Sequence, residues 1–308
     1  NGVRFLVESV RPDGSWPIDT NLATWNTTLS LNALAAGGQD IAKLGADCLD
    51  WLLACQHLHR HPFTGAAPGG WGWSDLTGAV PDADDTPGAL LALASWRDAP
   101  SCTDKDRVRT SVAAMAGVSW LLSIQNRDGG WPTFCRGWGT LPFDRSGADL
   151  TAHAIRGLLA WHDAWPAEPR LTVRVERAVE RGFAFLQRTQ TSEGAWLPLW
   201  FGNQDHPREE NPVYGTAKVI LAYEAAGRLN CAPCRLAIRW LCNAQNRDGG
   251  WGGSFAATHT ESESREVPVE IASPVSSVEE TALALEALLT DPGRVPQDVI
   301  SQGLNWLT

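Results

Sequence analysis

The chain has 308 residues, 44% of them hydrophobic and 19% charged. That apolar share excludes a disordered chain and is enough to bury a large core. A net charge of −10 speaks against a nucleic-acid-binding surface, and no run approaches the roughly 18 uninterrupted apolar residues of a membrane-spanning helix. Seven cysteines without framework spacing fit a reducing, cytoplasmic compartment. Because the chain opens on Asn1 rather than Met, the natural N-terminus is expected to lie outside it. The unusual count is sixteen Trp against two Tyr and one Met. An indole N–H needs a partner, so this many point to a repeated structural device or an aromatic-lined hollow.

A repeat near 60 residues organises the chain. A helix-like segment runs into a Gly-Trp turn five times. The copies are Phe5-Leu6 to Trp16, Trp51-Leu52 through Gln56 to Trp71, Trp120-Leu121 through Gln125 to Trp131, Phe185-Leu186 through Gln190 to Trp196, and Trp240-Leu241 through Gln245 to Trp251. Asn305-Trp306-Leu307 opens a sixth. Asp-Gly and Gly-Gly pairs end the helices, and the five turn tryptophans read as staples between elements. After each turn comes an Ala- and Leu-rich segment of helical spacing, marked by Thr27, Thr86, Thr151, Thr216 and Thr281. These segments are nearly uncharged, as buried helices are. With no strand-like alternation of any length, the chain predicts an all-α, (α/α)6 barrel occupying residues 1–308 as one domain, with the last inner helix not represented. The stretches 201–213 and 259–276 read as long loops.

In such a barrel the inner helices begin at one end, so equivalent positions ring one mouth. Two residues before each marker Thr stand Trp25, Asp84, Asp149, Tyr214 and Glu279. Asp or Glu there also serves as a helix N-cap or complements the helix dipole. The second copy is richer: Asp82, Asp84 and Asp85 place three carboxylates in four residues. Crowded together, at least one is expected to keep its proton near neutral pH, because like charges raise a neighbour's pKa. An exposed acidic loop or a calcium site are the competing readings. The Trp-rich approach over residues 69–75 and the apolar helix that follows argue against a freely solvated loop. Asp149 and His153 are i,i+4 and share one helix face, although a lone His in such a helix can equally be a satisfied core residue.

These residues resemble the class II triterpene cyclases of the squalene–hopene cyclase kind. Gln125 with Gly129-Gly130-Trp131 and its sister copies is similar to that family's Gln-Trp repeats, and Asp82-Ala83-Asp84-Asp85-Thr86 to its Asp-x-Asp-Asp-Thr acid motif. The likeness runs nearly the whole chain. It implies that Asp84 donates a proton to a terminal alkene, that Asp82 and Asp85 hold and polarise it, and that Asp149 and His153 serve the acid cluster. Trp25, Trp73, Trp200 and Tyr214 match family cavity positions, where aromatic faces stabilise a carbocation without acting as bases; Glu279 completes the ring. The implied substrate is a linear polyprene such as squalene, with no cofactor and no metal. Peripheral contact with the inner membrane face is implied as well. The resemblance also implies a second barrel and a further set of cavity aromatics, neither of which has room in this chain.

Two other readings use the same barrel. A protein prenyltransferase β subunit shares the repeats and requires zinc. An (α/α)6 glycoside hydrolase would use two carboxylates such as Asp84 and Glu279 across a wet cleft. A non-catalytic binding barrel leaves the acid cluster without a purpose. Cys231-Ala232-Pro233-Cys234 lacks the further ligands that zinc needs, and His57, His59 and His61 read as a solvated loop.

Overall fold

The computed structural model describes residues 21–137, 139–203, 206, 208–255 and 274–308. Among these residues ten α-helices alternate between an inner and an outer layer. The inner helices are α1 (Ala23–Ala36), α3 (Asp85–Asp98), α5 (Ala148–Leu159), α7 (Pro212–Ala225) and α9 (Val278–Leu288). The outer ones are α2 (Ala46–Ala54), α4 (Asp104–Ile124), α6 (Pro169–Thr189), α8 (Ala232–Asn243) and α10 (Gln297–Leu307). Inner helices pack in sequence, α1 on α3 on α5 on α7 on α9, and α4, α6, α8 and α10 each lie against the inner helix before them. This is the α/α barrel that the repeat predicts. One small departure is an antiparallel pair between β1 (Ser254–Phe255) and β2 (Pro274–Val275), too short to show as alternation in the sequence. The first repeat, Phe5 to Trp16, and most of the stretch read as a loop at 259–276 lie outside the described residues.

The same set of hydrogen bonds closes four successive turns. Gln56 Nε2 donates to the Gly69 carbonyl at 2.8 Å and to the Ala113 carbonyl of the next outer helix at 2.9 Å. Gln125 does so to Gly129 and Ala178, Gln190 to Gly194 and Pro233, and Gln245 to Gly249 and Val299, all within 2.8–2.9 Å. The turn then needs a left-handed residue: Gly69, Gly129, Gly194 and Gly249 have φ of 117°, 96°, 109° and 94°. The tryptophans that follow are fully buried. Their indole N–H groups donate to Leu52, Leu121, Leu186 and Leu241 at 2.8–2.9 Å. Those carbonyls belong to the last turn of an outer helix, where helical partners run out.

Each tryptophan's backbone N–H donates to a marker threonine at the start of an inner helix. Trp71 meets Thr86, Trp131 Thr151, Trp196 Thr216 and Trp251 Thr281, at 2.9–3.0 Å. One turn thus ties together two outer helices and one inner helix. In α1 the register differs: Thr27 is only half-buried, and Thr24 and Thr28 take the buried positions. The spacing from Thr27 to Thr86 is correspondingly the one that breaks the 65-residue period.

Replacing Gln125 by Leu removes two bonds and strands two buried carbonyls. The expected loss is at least about 2 kcal/mol of unfolding free energy in a denaturant titration. Trp131→Phe keeps most of the apolar burial and loses one bond, so it is expected to cost less, about 1–2 kcal/mol.

Candidate active site

The acid loop is built before the side chains matter. Gly72 lets the chain double back closely, since a Cβ there would meet the Val80 carbonyl oxygen at 2.5 Å. The Asp82 amide donates to the Trp71 carbonyl at 3.0 Å, and Ala83 N to the Thr133 carbonyl at 2.8 Å. Asp82 then turns inward, and its Oδ1 accepts the amides of Asp84 (2.9 Å) and Asp85 (2.6 Å). It thereby caps α3 while the N-cap residue itself, Asp84, keeps its carboxyl free of the backbone.

Burial sorts the carboxyls. Asp82 and Asp85 are buried, and burial is the main cause pushing both upward; Asp85 is raised further by Asp82 and Asp84, whereas in Asp82 the hydrogen bonds from Asp85 oppose the rise. Asp149, in the first turn of α5, is also buried and is pushed up to about 7, first by burial and then by the charge of Asp84. Its Oδ1 accepts the Leu199 amide at 3.1 Å, and its Oδ2 has no partner among the described residues. Asp84 differs from all three in being half-buried. One turn below Asp149, His153 places Nδ1 2.9 Å from Asp84 Oδ1. Burial holds this imidazole below its usual range against the opposing pull of Asp84. Asp149 and His153 share a helix face as expected, yet only His153 bonds the acid; Asp149 is occupied by the neighbouring loop.

The aromatics form a stack beside this cluster. Phe201 lies between Trp25, at a centroid distance of 5.6 Å and 17° between planes, and Tyr214, at 4.8 Å and 23°. Tyr214 is buried, and burial followed by the charges of Asp84, Asp149 and Glu279 drives its phenol well above the ordinary value. Trp73 holds the mouth through its carbonyl, which accepts the amides of Thr24 and Trp25, and its ring meets Phe134 edge-on at 6.2 Å. Trp200 is 48% exposed, its indole N–H bound to Thr133 Oγ1 at 2.5 Å.

The chain matches the squalene–hopene cyclase C-terminal domain over residues 21–308. It belongs to that family. Enfumafungin synthase of Hormonema carpetanum is 32% identical across 97% of this chain and 22% of its own length. The squalene–hopene cyclase of Bradyrhizobium diazoefficiens is 30% identical across 92% of this chain and 42% of its own. The chain therefore spans less than half of either relative. In fold it is similar to ent-copalyl diphosphate synthase from Streptomyces platensis, with a TM-score of 0.64 and 23% identity over 99% of this chain and 48% of that one.

Within this cyclase-family barrel, the expected ring residues all stand at the starts of inner helices, but not all face the same surroundings. Glu279 is exposed, and its neighbour Glu280 is the buried acid of α9. Glu280 Oε2 accepts the Ser277 hydroxyl at 2.8 Å while Ser277 Oγ accepts the Glu280 amide at 3.1 Å, a capping arrangement. Phe201, central to the stack, was not foreseen. It sits in a loop, outside any helical period, and only its adjacency to Trp200 could have drawn attention to it.

Asp149 has a direct thermodynamic consequence. A carboxyl raised from 3.8 to about 7 binds its proton more tightly folded than unfolded. It contributes stability below about pH 4 that is lost as pH rises through 7. Asp149→Asn, which retains an acceptor for the Leu199 amide, is expected to be more stable than the native chain at pH 8 and to lose that advantage at pH 4. Denaturant midpoints at the two pH values check this.

Proposed function

We propose that this chain is the acid-bearing barrel of a class II terpene cyclase, residues 1–308 forming one domain that starts the cyclisation of a linear polyprene by protonation. The reading rests on one observation above the others: Asp84, half-buried among acids that burial pushes toward their protonated forms, meets the buried His153 imidazole at 2.9 Å beside an aromatic stack. In this role His153 Nδ1–H donates to Asp84 Oδ1, and Oδ2 is the oxygen that delivers the proton to an alkene. Transfer to the terminal double bond leaves a tertiary carbocation and the Asp84 carboxylate. Ring closures then move the charge along the chain until loss of a proton or capture of water ends the cascade. Asp82 fixes the Asp84 backbone, and burial biases Asp85 and Asp149 toward their uncharged forms, which limits the competing bases that the nascent cation meets.

Trp25, Phe201 and Tyr214 present π-faces near the point where charge first appears, and cation–π attraction there is worth about 0.5–2 kcal/mol per contact. Trp73 and Trp200 frame the mouth. Glu279, at the rim, is assigned to substrate contact in the same ring. The chemistry requires no cofactor. So apolar a substrate favours delivery from a membrane surface on the cytoplasmic side, although none of the described helices is long and apolar enough to cross one.

Full-length protein incubated with squalene and with C15–C25 polyprenes, followed by mass spectrometry of the extract, tests the assignment. Asp84→Asn is expected to reduce cyclised product at least about 10³-fold with the fold intact. Retained turnover overturns the role of Asp84. Phe201→Ala is expected to retain initiation and shift the products toward incompletely cyclised species, read from the same chromatograms.

A further inference from the structure

The short stretch Trp131-Pro132-Thr133-Phe134 joins parts of the mouth that no helix connects. Trp131 fixes where it starts: its amide donates to Thr151 Oγ1 at 3.0 Å, and its carbonyl accepts the Gly147 amide at 3.1 Å. Two residues on, the Thr133 carbonyl accepts the amide of Ala83, the residue between Asp82 and Asp84, at 2.8 Å. Thr133 is itself buried, and its Oγ1 accepts the indole N–H of Trp200 at 2.5 Å. The backbone of one residue thus holds the acid loop, and its side chain holds the loop of the following repeat. Phe134 carries the contact further, with its ring edge-on to Trp73 at 6.2 Å. Trp73 in turn accepts the Trp25 amide through its carbonyl at 3.3 Å, and Trp25 stacks on Phe201, the neighbour of Trp200. The contacts close a circuit around the mouth, and Thr133 is where that circuit meets the acid loop.

The Trp200 bond differs from those of the turn tryptophans. Those indoles are fully buried, whereas Trp200 is 48% exposed. Burial does not hold its ring in place, and water can replace Thr133 as its acceptor with little loss of stability. What the hydroxyl supplies is direction, because an N–H···O bond weakens steeply as it bends. The peptide unit between Trp200 and Phe201 is planar, and the Leu199 amide on the other side is held by Asp149 Oδ1 at 3.1 Å. A rotation of Trp200 is therefore passed on to Phe201, whose ring lies between Trp25 and Tyr214.

We propose that Thr133 is a positioning residue whose hydroxyl registers the Trp200-Phe201 segment against the loop that carries Asp84, and so governs how many ring closures the cation completes before it is quenched. This rests on Asp84 being the acid, and it names a determinant of product rather than of initiation. The two tasks are separable within the residue. The carbonyl serves the acid loop and survives any change of side chain; the hydroxyl serves the aromatic stack.

The experiment uses the full-length protein with ¹⁵N-labelled tryptophan, the Trp200 indole signal being assigned by its absence in Trp200→Phe. In the native protein that signal is expected downfield, with exchange slow for a half-exposed group. Thr133→Val keeps the shape and removes the acceptor. It is expected to move the signal upfield and to speed its exchange about tenfold. With a polyprene, substrate consumption is expected to stay within about twofold, while the ratio of incompletely to fully cyclised product rises at least about fivefold, in the direction of Phe201→Ala. Thr133→Ser, which restores a hydroxyl, is expected to return the signal and the ratio toward native. Thr133→Val added to Trp200→Phe is expected to change the ratio no further, since the donor is already gone. The inference is overturned if the native indole exchanges as a free group, if Thr133→Val leaves the product ratio in place or lowers consumption in step with it, or if its effect adds in full to that of Trp200→Phe. A Thr133→Val chain that does not fold marks the hydroxyl as structural and overturns it too. The indole signal is read with no substrate present, so failure of the Asp84 assignment, seen as activity in Asp84→Asn, is distinguished from failure of this inference.

Discussion

The barrel depends on the three-way hydrogen bonding of one glutamine and one tryptophan at each turn. A helix end leaves carbonyl groups that must find partners, and a turn between layers leaves amides in the same condition. Glutamine supplies two donors from one nitrogen, one for its own turn and one for the next outer helix. The tryptophan adds an indole donor to the helix just completed and an amide donor to the inner helix about to begin. Because each set reaches forward by one repeat, the copies are coupled nearest-neighbour fashion, and the large buried indoles fill the space between layers. Met or Leu would leave part of that volume empty and the carbonyls bare, which accounts for the use of Trp at these turns.

The site inherits its position from that device. Thr86 and Thr151, bound to the amides of Trp71 and Trp131, set where α3 and α5 begin, and hence how Asp84 and His153 approach each other across two helices. Within this enclosure one physical effect acts in two directions. Burial raises Asp82, Asp85 and Asp149 and lowers His153, Lys218 and Arg156. In every case the charged form is penalised. A collection of residues that would be densely ionised in water is thus moved toward neutrality, the condition under which a carboxylic acid retains a proton for so weak a base as an alkene.

Much of this was legible in the residues. The period of Gln and Trp predicted the two-layer barrel, the shared mouth and the staple role of Trp71, Trp131, Trp196 and Trp251, because hydrogen-bonding demand at a turn is local and recurs wherever the turn recurs. The clustering of Asp82, Asp84 and Asp85 predicted retained protons by simple repulsion. Which of the three would be left half-exposed was not legible, since that follows from Asp82 folding back onto two amides. The pairing of His153 rather than Asp149 with Asp84 depends on the loop amide of Leu199 claiming the other acid first. Phe201 joined the aromatic stack from a loop with no period. Lys218 and Arg156 lay hidden in helices that read as apolar, because a single cation in a buried segment shows what faces it only after the neighbouring helices are packed. Sequence by itself determined the elements, their order and which residues stand at the starts of the inner helices, for these follow from contacts within a repeat; tertiary structure alone decided which groups meet across helices, for those distances are set by packing between repeats.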